Sequence, residues 1–504
     1  MAKKRTLYRS TLAVIVLLLL SKVLGFVRQA AIAGIFGSDA ATDLYFVSSD
    51  FITTISGAIT QALVTALVTA YVLVKTRDGE QAAKKLASRA MLFFELIAVL
   101  LTGLVIALAR PLARVLAPGY EGAQLDGLAV YLRLFAAVLA LTIAQANYTA
   151  VLNAEGIFTP GKLYGVLFNV FAVAAVLLLG RKFGISVLVW ATYAAQVLQL
   201  VILILCCGRL YRVRPGSLSS DPELTKLVRS TMLLLLCNVV MQLNTIAGKA
   251  VCSFLAEGTA TIYAYAHSIE QLVTGTFIAA VSLTLLPRMA DCAAREDRAA
   301  LSALLRRVLS VGLELLIYVA MVTVLLSRQI VALVYQRGAF TEDHVGLTAL
   351  ALCGFALGFP LVAYRELLRQ IHFAFQRSER IIWIDAAALV FCVVLAFAGA
   401  KTLGIFGVCA AVSAAALFGC LLLGRSAARY LGLRAYNPTW QESGKALICL
   451  ALSAAALWGS GLLVQGTIPR LVLGIVCSGL VYAAANLLLR TACAAELRRL
   501  LHRE

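Results

Sequence analysis

Long apolar runs follow one another along almost the whole chain, separated by short polar segments. Met91–Ala109, Val166–Leu179 and Ala446–Leu463 are three of them, and a helix needs about 20 largely apolar residues to cross a bilayer. Hydrophobic residues make up 62% of the 504 positions and charged residues only 14%, whereas a soluble domain carries about 25% charged residues. The chain is therefore predicted to be an all-α polytopic membrane protein without a large soluble domain.

The lengths of these runs predict about fourteen transmembrane helices. The predicted helices lie near residues 11–36, 41–74, 86–109, 124–153, 162–180, 184–208, 228–256, 260–287, 305–327, 345–375, 381–400, 403–424, 446–465 and 471–489. An even number of crossings places both termini on one side. Most of the 44 Lys and Arg residues lie on that side, which predicts that both termini are cytoplasmic.

The net charge of +19 is explained by this placement. Basic residues at the ends of transmembrane helices set the topology and contact anionic lipids. We therefore expect membrane lipids as partners and no nucleic acid. The twelve cysteines lie mostly within the predicted helices and form no Cys-x-x-Cys pair, so no metal site is predicted.

Two polar stretches divide the chain into lobes. Pro and Gly mark the first stretch as a flexible loop, and the second separates two final helices from the rest. The predicted parts are an N-terminal lobe at 1–208, a cytoplasmic linker at 209–227, a C-terminal lobe at 228–424, a cytoplasmic loop at 425–445, and two helices with a cytoplasmic tail at 446–504.

Weak internal similarity predicts that the two lobes arose by duplication. Ala41-Thr42 precedes Gly57 in the second predicted helix, and Ala260-Thr261 precedes Gly275 in the eighth. Two six-helix lobes that start on the same side of the membrane would be parallel repeats, related by an axis along the membrane normal.

The first predicted helix contains two cations, Lys22 and Arg28. An ionisable group inside a transmembrane helix is a candidate for function, because hydrocarbon solvates it poorly. Arg28 could instead reach the outer head groups. Gly25 lies between the two cations and is a candidate hinge, as are Gly57 and Gly275.

Polar residues recur at helical spacing in three further predicted helices. Such a face does not point to lipid; it lines a cavity or forms hydrogen bonds between helices. The second helix contributes Asp50, Thr53, Thr54, Gly57, Thr60 and Gln61; the seventh contributes Asn238, Gln242, Asn244 and Lys249; the eighth contributes His267, Glu270, Gln271, Thr274 and Gly275.

If these helices meet, Lys22, Arg28 and Lys249 would form a cationic site with Asp50 and Glu270 as counter-charges. Arginine and lysine bind phosphate oxygens strongly where water is scarce, so this site suits an anionic head group. Lys249 could equally be only an ion-pair partner. With four scattered histidines and no nucleotide-binding motif, no enzyme activity and no cofactor are predicted, and transport would use the membrane potential or an ion gradient.

Several stretches resemble the MurJ/MviN family of lipid II flippases, within the MOP exporter superfamily. The most specific are the opening, from Ser21 to Val47, and the segment from Val334 to Thr341. Further matches occur in order at Leu116–Tyr120, Val151–Ala154 with Phe158 and Pro160, Asn169, and Leu285–Pro287. The resemblance covers most of the chain.

This resemblance implies two six-helix lobes around a central cationic cavity, two extra C-terminal helices that form a hydrophobic groove, and alternating access driven by the membrane potential. It implies an undecaprenyl-diphosphate-linked peptidoglycan precursor as substrate, a bacterial inner-membrane location, and cell-wall synthesis enzymes as partners. Lys22 and Arg28 match basic positions of the family, and Asp43 matches an aspartate at the start of its second helix.

Two departures from the family pattern leave the substrate open. Gln29 stands where many members have Asp, and the essential arginine of the eighth helix aligns on or near Ser268, with the family's glutamate near Gln271. Besides a lipid II flippase, the sequence allows a flippase for another polyprenyl-linked glycan or a transport-inactive cell-wall scaffold. A small-molecule antiporter of the MATE type is the remaining alternative, although it predicts acidic cavity residues and twelve helices.

Overall fold

The computed structural model describes residues 2–208, 222–295, 297–375, 378–431, 440–464, 466–491 and 494. All regular secondary structure in these segments is helical. A helix bonds its own backbone N–H and C=O groups, which a bilayer requires because hydrocarbon offers them no partner. The predicted all-α fold is confirmed.

Eight helices make up the first half of the chain. They are α1 (Ala2–Phe36), α2 (Ala40–Asp78), α3 (Glu80–Ala107), α4 (Ala109–Leu116), α5 (Gly122–Ala136), α6 (Val138–Ala154), α7 (Tyr164–Phe183) and α8 (Val187–Cys207). Short 3₁₀ turns at Pro160–Lys162 and Gly184–Ser186 precede α7 and α8.

Nine helices follow in the second half. They are α9 (Pro222–Cys252), α10 (Thr259–Ala294), α11 (Arg298–Leu325), α12 (Ser327–Tyr335), α13 (Glu342–Ala356), α14 (Phe359–Ala374), α15 (Ser378–Ser426), α16 (Trp440–Leu463) and α17 (Thr467–Leu489). A π-helical turn, Ala427–Leu431, extends α15.

Nine helical segments of the described residues are long and apolar enough to cross a bilayer, or ten if α13 and α14, bent by 44°, form one crossing. Two of these segments, Pro160–Cys207 and Glu379–Arg429, contain 48 and 51 residues. Each is interrupted by a glycine with positive φ, Gly184 at +67° and Gly404 at +58°, and each is long enough to cross twice. The protein is thus multi-spanning, while the total of about fourteen crossings stays a prediction.

Helices α9 to α15 repeat α1 to α8 in order and approximate length, with the long α15 in the place of both α7 and α8. Thr42 and Thr261, near the N-termini of α2 and α10, are 219 positions apart. The same offset carries α4 onto α12 and α5 onto α13 to within a residue. An offset larger by one carries Gly184 onto Gly404, where the backbone again adopts positive φ. The helix order therefore supports the duplication predicted from the two Ala-Thr pairs.

Contacts between helices group the chain into two compact units. The first comprises Met1–Thr261 with Arg337–Phe340, and the second comprises Ile262–Gln336 with Thr341–Glu504. Helix α9 packs along α2 and so belongs to the first unit. Most of the linker predicted at 209–227 lies outside the described residues, so the predicted lobe boundaries stay predictions.

The core of the first unit lies between α2, α3 and α6. Leu67 and Tyr71 of α2 are fully buried beside Ala87 of α3. The Lys75 Nζ lies 2.6 Å from a carboxylate oxygen of Glu155, and the Tyr71 hydroxyl donates to the same carboxylate at 3.2 Å. These bonds fix the end of α2 to the end of α6.

The second unit has a core of its own and carries the two last helices. Leu367, Leu368 and Ile371 of α14 pack with buried residues of α10, α11 and α15. Helix α17 attaches to α11 through Tyr318 and Tyr482, whose rings stack with centroids 4.4 Å apart.

In two short loops of the first unit, a glycine lies directly against the backbone of another segment. The Ala339 N–H donates to the Gly34 carbonyl at 2.9 Å, and a Cβ on Gly338 would collide with that carbonyl. In the other repeat, the Gly119 N–H donates to the Ser253 hydroxyl at 3.0 Å, and a Cβ on Gly119 would collide with the Ser253 carbonyl. Gly34 and Ser253 are related by the repeat offset, as are Gly119 and Gly338, so the duplication has preserved this contact.

Replacing Gly338 by Ala should lower the free energy of unfolding by about 1–2 kcal/mol, because its φ of +58° is unfavourable for a side chain. The contact with Gly34 adds to this loss. Gly346→Ala is the matched control, since an added Cβ there meets no heavy atom within 4 Å. Thermal unfolding in detergent measures both variants. If Gly338→Ala unfolds at the same temperature as Gly346→Ala, the close contact between Gly338 and Gly34 is contradicted.

Candidate functional site

The polar face of α2 is exposed rather than packed against a neighbouring helix. Thr53, Gly57 and Gln61, one turn apart, are all exposed, and a Cβ added to Gly57 would meet no heavy atom within 4 Å. The Thr53 hydroxyl donates to the Ser49 carbonyl of its own helix at 2.7 Å. Because a bare polar face of this kind is unfavourable in hydrocarbon, the geometry favours a water-filled cavity over hydrogen bonding to a neighbouring helix.

The two cations of α1 lie half-buried. The Arg28 guanidinium lies over the Phe168 ring of α7, 4.7 Å from its centroid, and that ring stacks on Tyr164. An aromatic face stabilises a cation without neutralising it. Arg28 thus has an aromatic neighbour in α7, and Lys22 lies nearly two turns earlier on the same helix.

Helix α1 is held against α7 beside these cations. The Asn169 side chain donates to the Ser21 carbonyl at 2.9 Å, and it lies 3.5 Å from where a Cβ on Gly25 would be. Gly25 therefore provides close packing here. Helix α1 is continuous through Gly25, as α2 and α10 are through Gly57 and Gly275, so the hinge role of these glycines stays a prediction.

Lys249 of α9 forms an ion pair with Asp50 of α2. The Lys249 side chain is only 3% exposed, whereas that of Asp50 is 38% exposed. The Lys249 Nζ also lies 3.4 Å from the Phe46 carbonyl. A cavity of about 10 Å³ borders the pair, which is room for one water. The observed contact of Lys249 is thus the ion pair with Asp50, and the part of both residues in a substrate site stays a prediction.

Asp43 is buried, and both of its carboxylate oxygens are occupied. One accepts from the Thr261 N–H at 2.7 Å and from the Thr261 hydroxyl at 2.6 Å. The other accepts from the Gly258 N–H at 2.8 Å and the Tyr120 hydroxyl at 3.2 Å. A carboxylate at a helix N-terminus is stabilised by the free N–H groups there. Asp43 therefore caps α10 in this conformation, and its contact with substrate stays a prediction.

Helix α10 of the second unit carries a polar group of its own. The His267 Nδ1 lies 3.1 Å from a Glu270 oxygen, and the Thr274 hydroxyl donates to the other oxygen at 2.8 Å. Glu270 is buried, while Gln271 is exposed. Of the predicted eighth-helix residues, Gln271 is therefore the side chain most open to a ligand. The side chains of Gln242 and Asn244 lie outside the described residues.

A charged cluster within the second unit was not predicted. The Arg369 guanidinium, 6% exposed, lies 2.8 Å from Asp385 and 3.1 Å from Glu366. His372 lies about one turn after Arg369 on α14, and its ring contacts the Ser426 hydroxyl at 3.0 Å. The sequence did offer a signal for this cluster, because ionisable residues lie inside two predicted helices, 345–375 and 381–400. Buried ion pairs of this kind fix neighbouring helices in one register.

The Lys249–Asp50 pair can be tested by removing each partner. Asp50→Asn should lower the free energy of unfolding by roughly 2 kcal/mol or more, because it leaves a buried ammonium group without a counter-charge. Lys249→Met should be tolerated better, since Asp50 can still be hydrated.

Unfolding of the purified variants in detergent measures this difference. The double variant, Asp50→Asn with Lys249→Met, serves as the control and should be more stable than Asp50→Asn alone. Equal stability of the two single variants would contradict the asymmetric burial of the pair.

Comparison with known proteins shows the family to which the chain is similar. The model of the family "Lipid II flippase MurJ" matches residues 32–476. A probable lipid II flippase MurJ of Rickettsia prowazekii is 24% identical over 373 residues, which are 73% of this chain and 73% of that protein. The lipid II flippase MurJ of Burkholderia cenocepacia is 24% identical over 470 residues, 88% of this chain and 89% of that protein.

Solved structures show the same fold. A lipid II flippase MurJ in an inward closed conformation superposes with a TM-score of 0.81 at 19% identity, covering 94% of this chain and 98% of that one. An inward-facing multidrug transporter of the MATE family, in the MOP superfamily, gives a TM-score of 0.69 at 14% identity, covering 82% and 95%. With a family match that extends over most of its length, the chain belongs to the MurJ family of lipid II flippases.

Proposed function

We propose that this protein moves lipid II, the undecaprenyl-diphosphate-linked peptidoglycan precursor, from the inner to the outer leaflet by alternating access. The observation that carries the proposal is the exposed polar face of α2, in the same unit as the half-buried cations Lys22 and Arg28. A polar face inside a membrane-spanning unit needs a hydrated ligand, and lipid II brings a diphosphate and sugars into the membrane. Family membership supports the same substrate.

The chemistry of the head group fits the available side chains. Arg28 and Lys22 bind the diphosphate oxygens, because charge-assisted hydrogen bonds are strong where water is limited. Gln61 and the α2 threonines offer neutral donors and acceptors to the sugars. The polyprenyl tail needs no such partner, so it stays in the hydrocarbon while the head group crosses.

The protein is placed in the bacterial cytoplasmic membrane with both termini in the cytoplasm. The excess of Lys and Arg on that side supports this orientation. Because the lipid II head group is anionic, its movement across the bilayer responds to the membrane potential, which we propose as the energy source together with an ion gradient as the alternative, without a cofactor or enzymatic step. Cell-wall synthesis enzymes, which consume lipid II on the outer side, are the proposed partners.

The other functions that the sequence left open receive less support. Ser268, in the position of the family's eighth-helix arginine, is compatible with another polyprenyl-linked glycan, yet the relatives described above are named for lipid II. The MATE fold superposes less closely than the MurJ fold. A transport-inactive scaffold would not need an open polar face on α2.

Complementation tests the proposal. In a strain depleted of its own lipid II flippase, this protein should restore growth. Arg28→Ala should abolish the rescue at an unchanged membrane level of protein, because the variant removes a diphosphate ligand. Arg28→Lys keeps the positive charge but not the planar guanidinium group, so it should restore growth only in part.

Arg114→Ala is the matched control, since Arg114 is an exposed arginine of α4 and should leave growth unaffected. Failure of the normally expressed protein to restore growth would contradict the lipid II substrate. Full rescue by Arg28→Ala would refute the role of Arg28.

A further inference from the structure

An apolar groove runs between α7 and α8 on the surface of the first unit. Its volume is about 510 Å³, and it is lined by Phe171, Leu178, Leu179, Phe183, Val187 and Trp190 among others. Leu178 is 80% exposed and Trp190 is 68% exposed. Both helices lie within an apolar segment long enough to span the bilayer, so the groove faces hydrocarbon.

The second repeat shows why this groove exists. When Gly184 is aligned on Gly404, Leu179 corresponds to Gly399 and Val187 corresponds to Gly407. The two glycines of α15 pack backbone against backbone, and a Cβ on Gly399 would lie 2.8 Å from the Gly407 carbonyl. Leucine and valine cannot approach so closely. The α7–α8 pair therefore carries side chains where its counterpart in the second repeat packs backbone against backbone.

Positive charge lies at one end of the groove. Arg181 and Lys182 occupy the last turn of α7 and are exposed, and the next residue, Phe183, lines the groove. The sequence from Ile157 to Cys207 contains no Asp or Glu. A ligand that fills the groove with hydrocarbon and places a negative charge beside these cations would satisfy both features.

We infer that this groove binds one anionic diacyl phospholipid, with an acyl chain between α7 and α8 and the phosphate beside Arg181 and Lys182. The hydrocarbon chain covers the apolar lining, which the helix pair leaves open. The two cations give the site its preference for an anionic head group, since each basic residue near the membrane surface attracts anionic lipid. This site is separate from the polar face of α2, and its occupancy does not depend on the identity of the transported substrate.

Trp190 provides a reporter within the groove. A variant that keeps only this tryptophan, with Trp383, Trp440 and Trp458 changed to Phe, is reconstituted in vesicles that contain phospholipid with brominated acyl chains. Bromine quenches indole fluorescence at contact distance. Brominated phosphatidylglycerol should reach half-maximal quenching at a roughly tenfold lower mole fraction than brominated phosphatidylcholine, as expected for two cations beside an anionic head group.

Two controls separate this site from ordinary lipid contact. A variant that keeps only Trp458, which is 69% exposed on α16, should be quenched equally by both lipids. Arg181→Gln with Lys182→Gln, made in the Trp190 reporter, should remove the preference without changing the folded fraction. Equal quenching of Trp190 by both lipids would overturn the inference, as would a preference that survives in the double variant.

The reporter also detects two other occupants of the groove. If a second copy of the chain covers it, neither brominated lipid quenches Trp190. If the polyprenyl tail of the substrate fills it, unlabelled undecaprenyl diphosphate relieves the quenching while unlabelled phosphatidylglycerol does not. Either result would overturn the assignment to a phospholipid.

Discussion

Hydrocarbon offers no hydrogen bond to a polar group, and the structure described here depends on this constraint. Backbone groups are bonded within helices. Threonine and serine hydroxyls return to carbonyls of their own turns, as Thr53 does to Ser49. Charges inside the helices acquire partners: Lys249 has Asp50, and Arg369 has Asp385. The polar face of α2 remains exposed even so, at Thr53, Gly57 and Gln61, and it is the proposed path of a hydrated head group.

Features that depend on local pattern were predictable from the sequence. Apolar length located the helices, and the two Ala-Thr pairs located the repeat, which the helix order supports. The exposed stripe at Thr53, Gly57 and Gln61 followed from its helical spacing. The resemblance around Ser21–Val47 and Val334–Thr341 led to the family that the comparisons then established.

Features that depend on partners distant in sequence were not predictable. The local sequence around Asp43 does not indicate that Gly258 and Thr261, more than 200 positions away, donate hydrogen bonds to its carboxylate. The choice between an open cation and an ion pair for Lys249 required the packing of α9 on α2. Likewise, the register of α14 on α15 decided that Arg369 meets Asp385.

The two repeats share a helix order, but only some of their close contacts are the same. Close glycine contacts persist in both, at Gly119 and Gly338. The second repeat packs its α15 pair closely at Gly399 and Gly407, while the first has Leu179 and Val187 at the matching positions and a groove along α7 and α8. Duplication supplied one scaffold, and substitution at a few positions gave each repeat its own polar groups and surface.

Direct measurement of lipid II translocation in vesicles tests the central claim most closely. The purified protein is reconstituted with fluorescent lipid II, and a membrane-impermeant quencher reports how much label reaches the outer leaflet over time. The account predicts translocation above that of protein-free vesicles when the protein is intact, and its loss in Arg28→Ala. Translocation equal to that of protein-free vesicles, or undiminished in Arg28→Ala, would contradict the account.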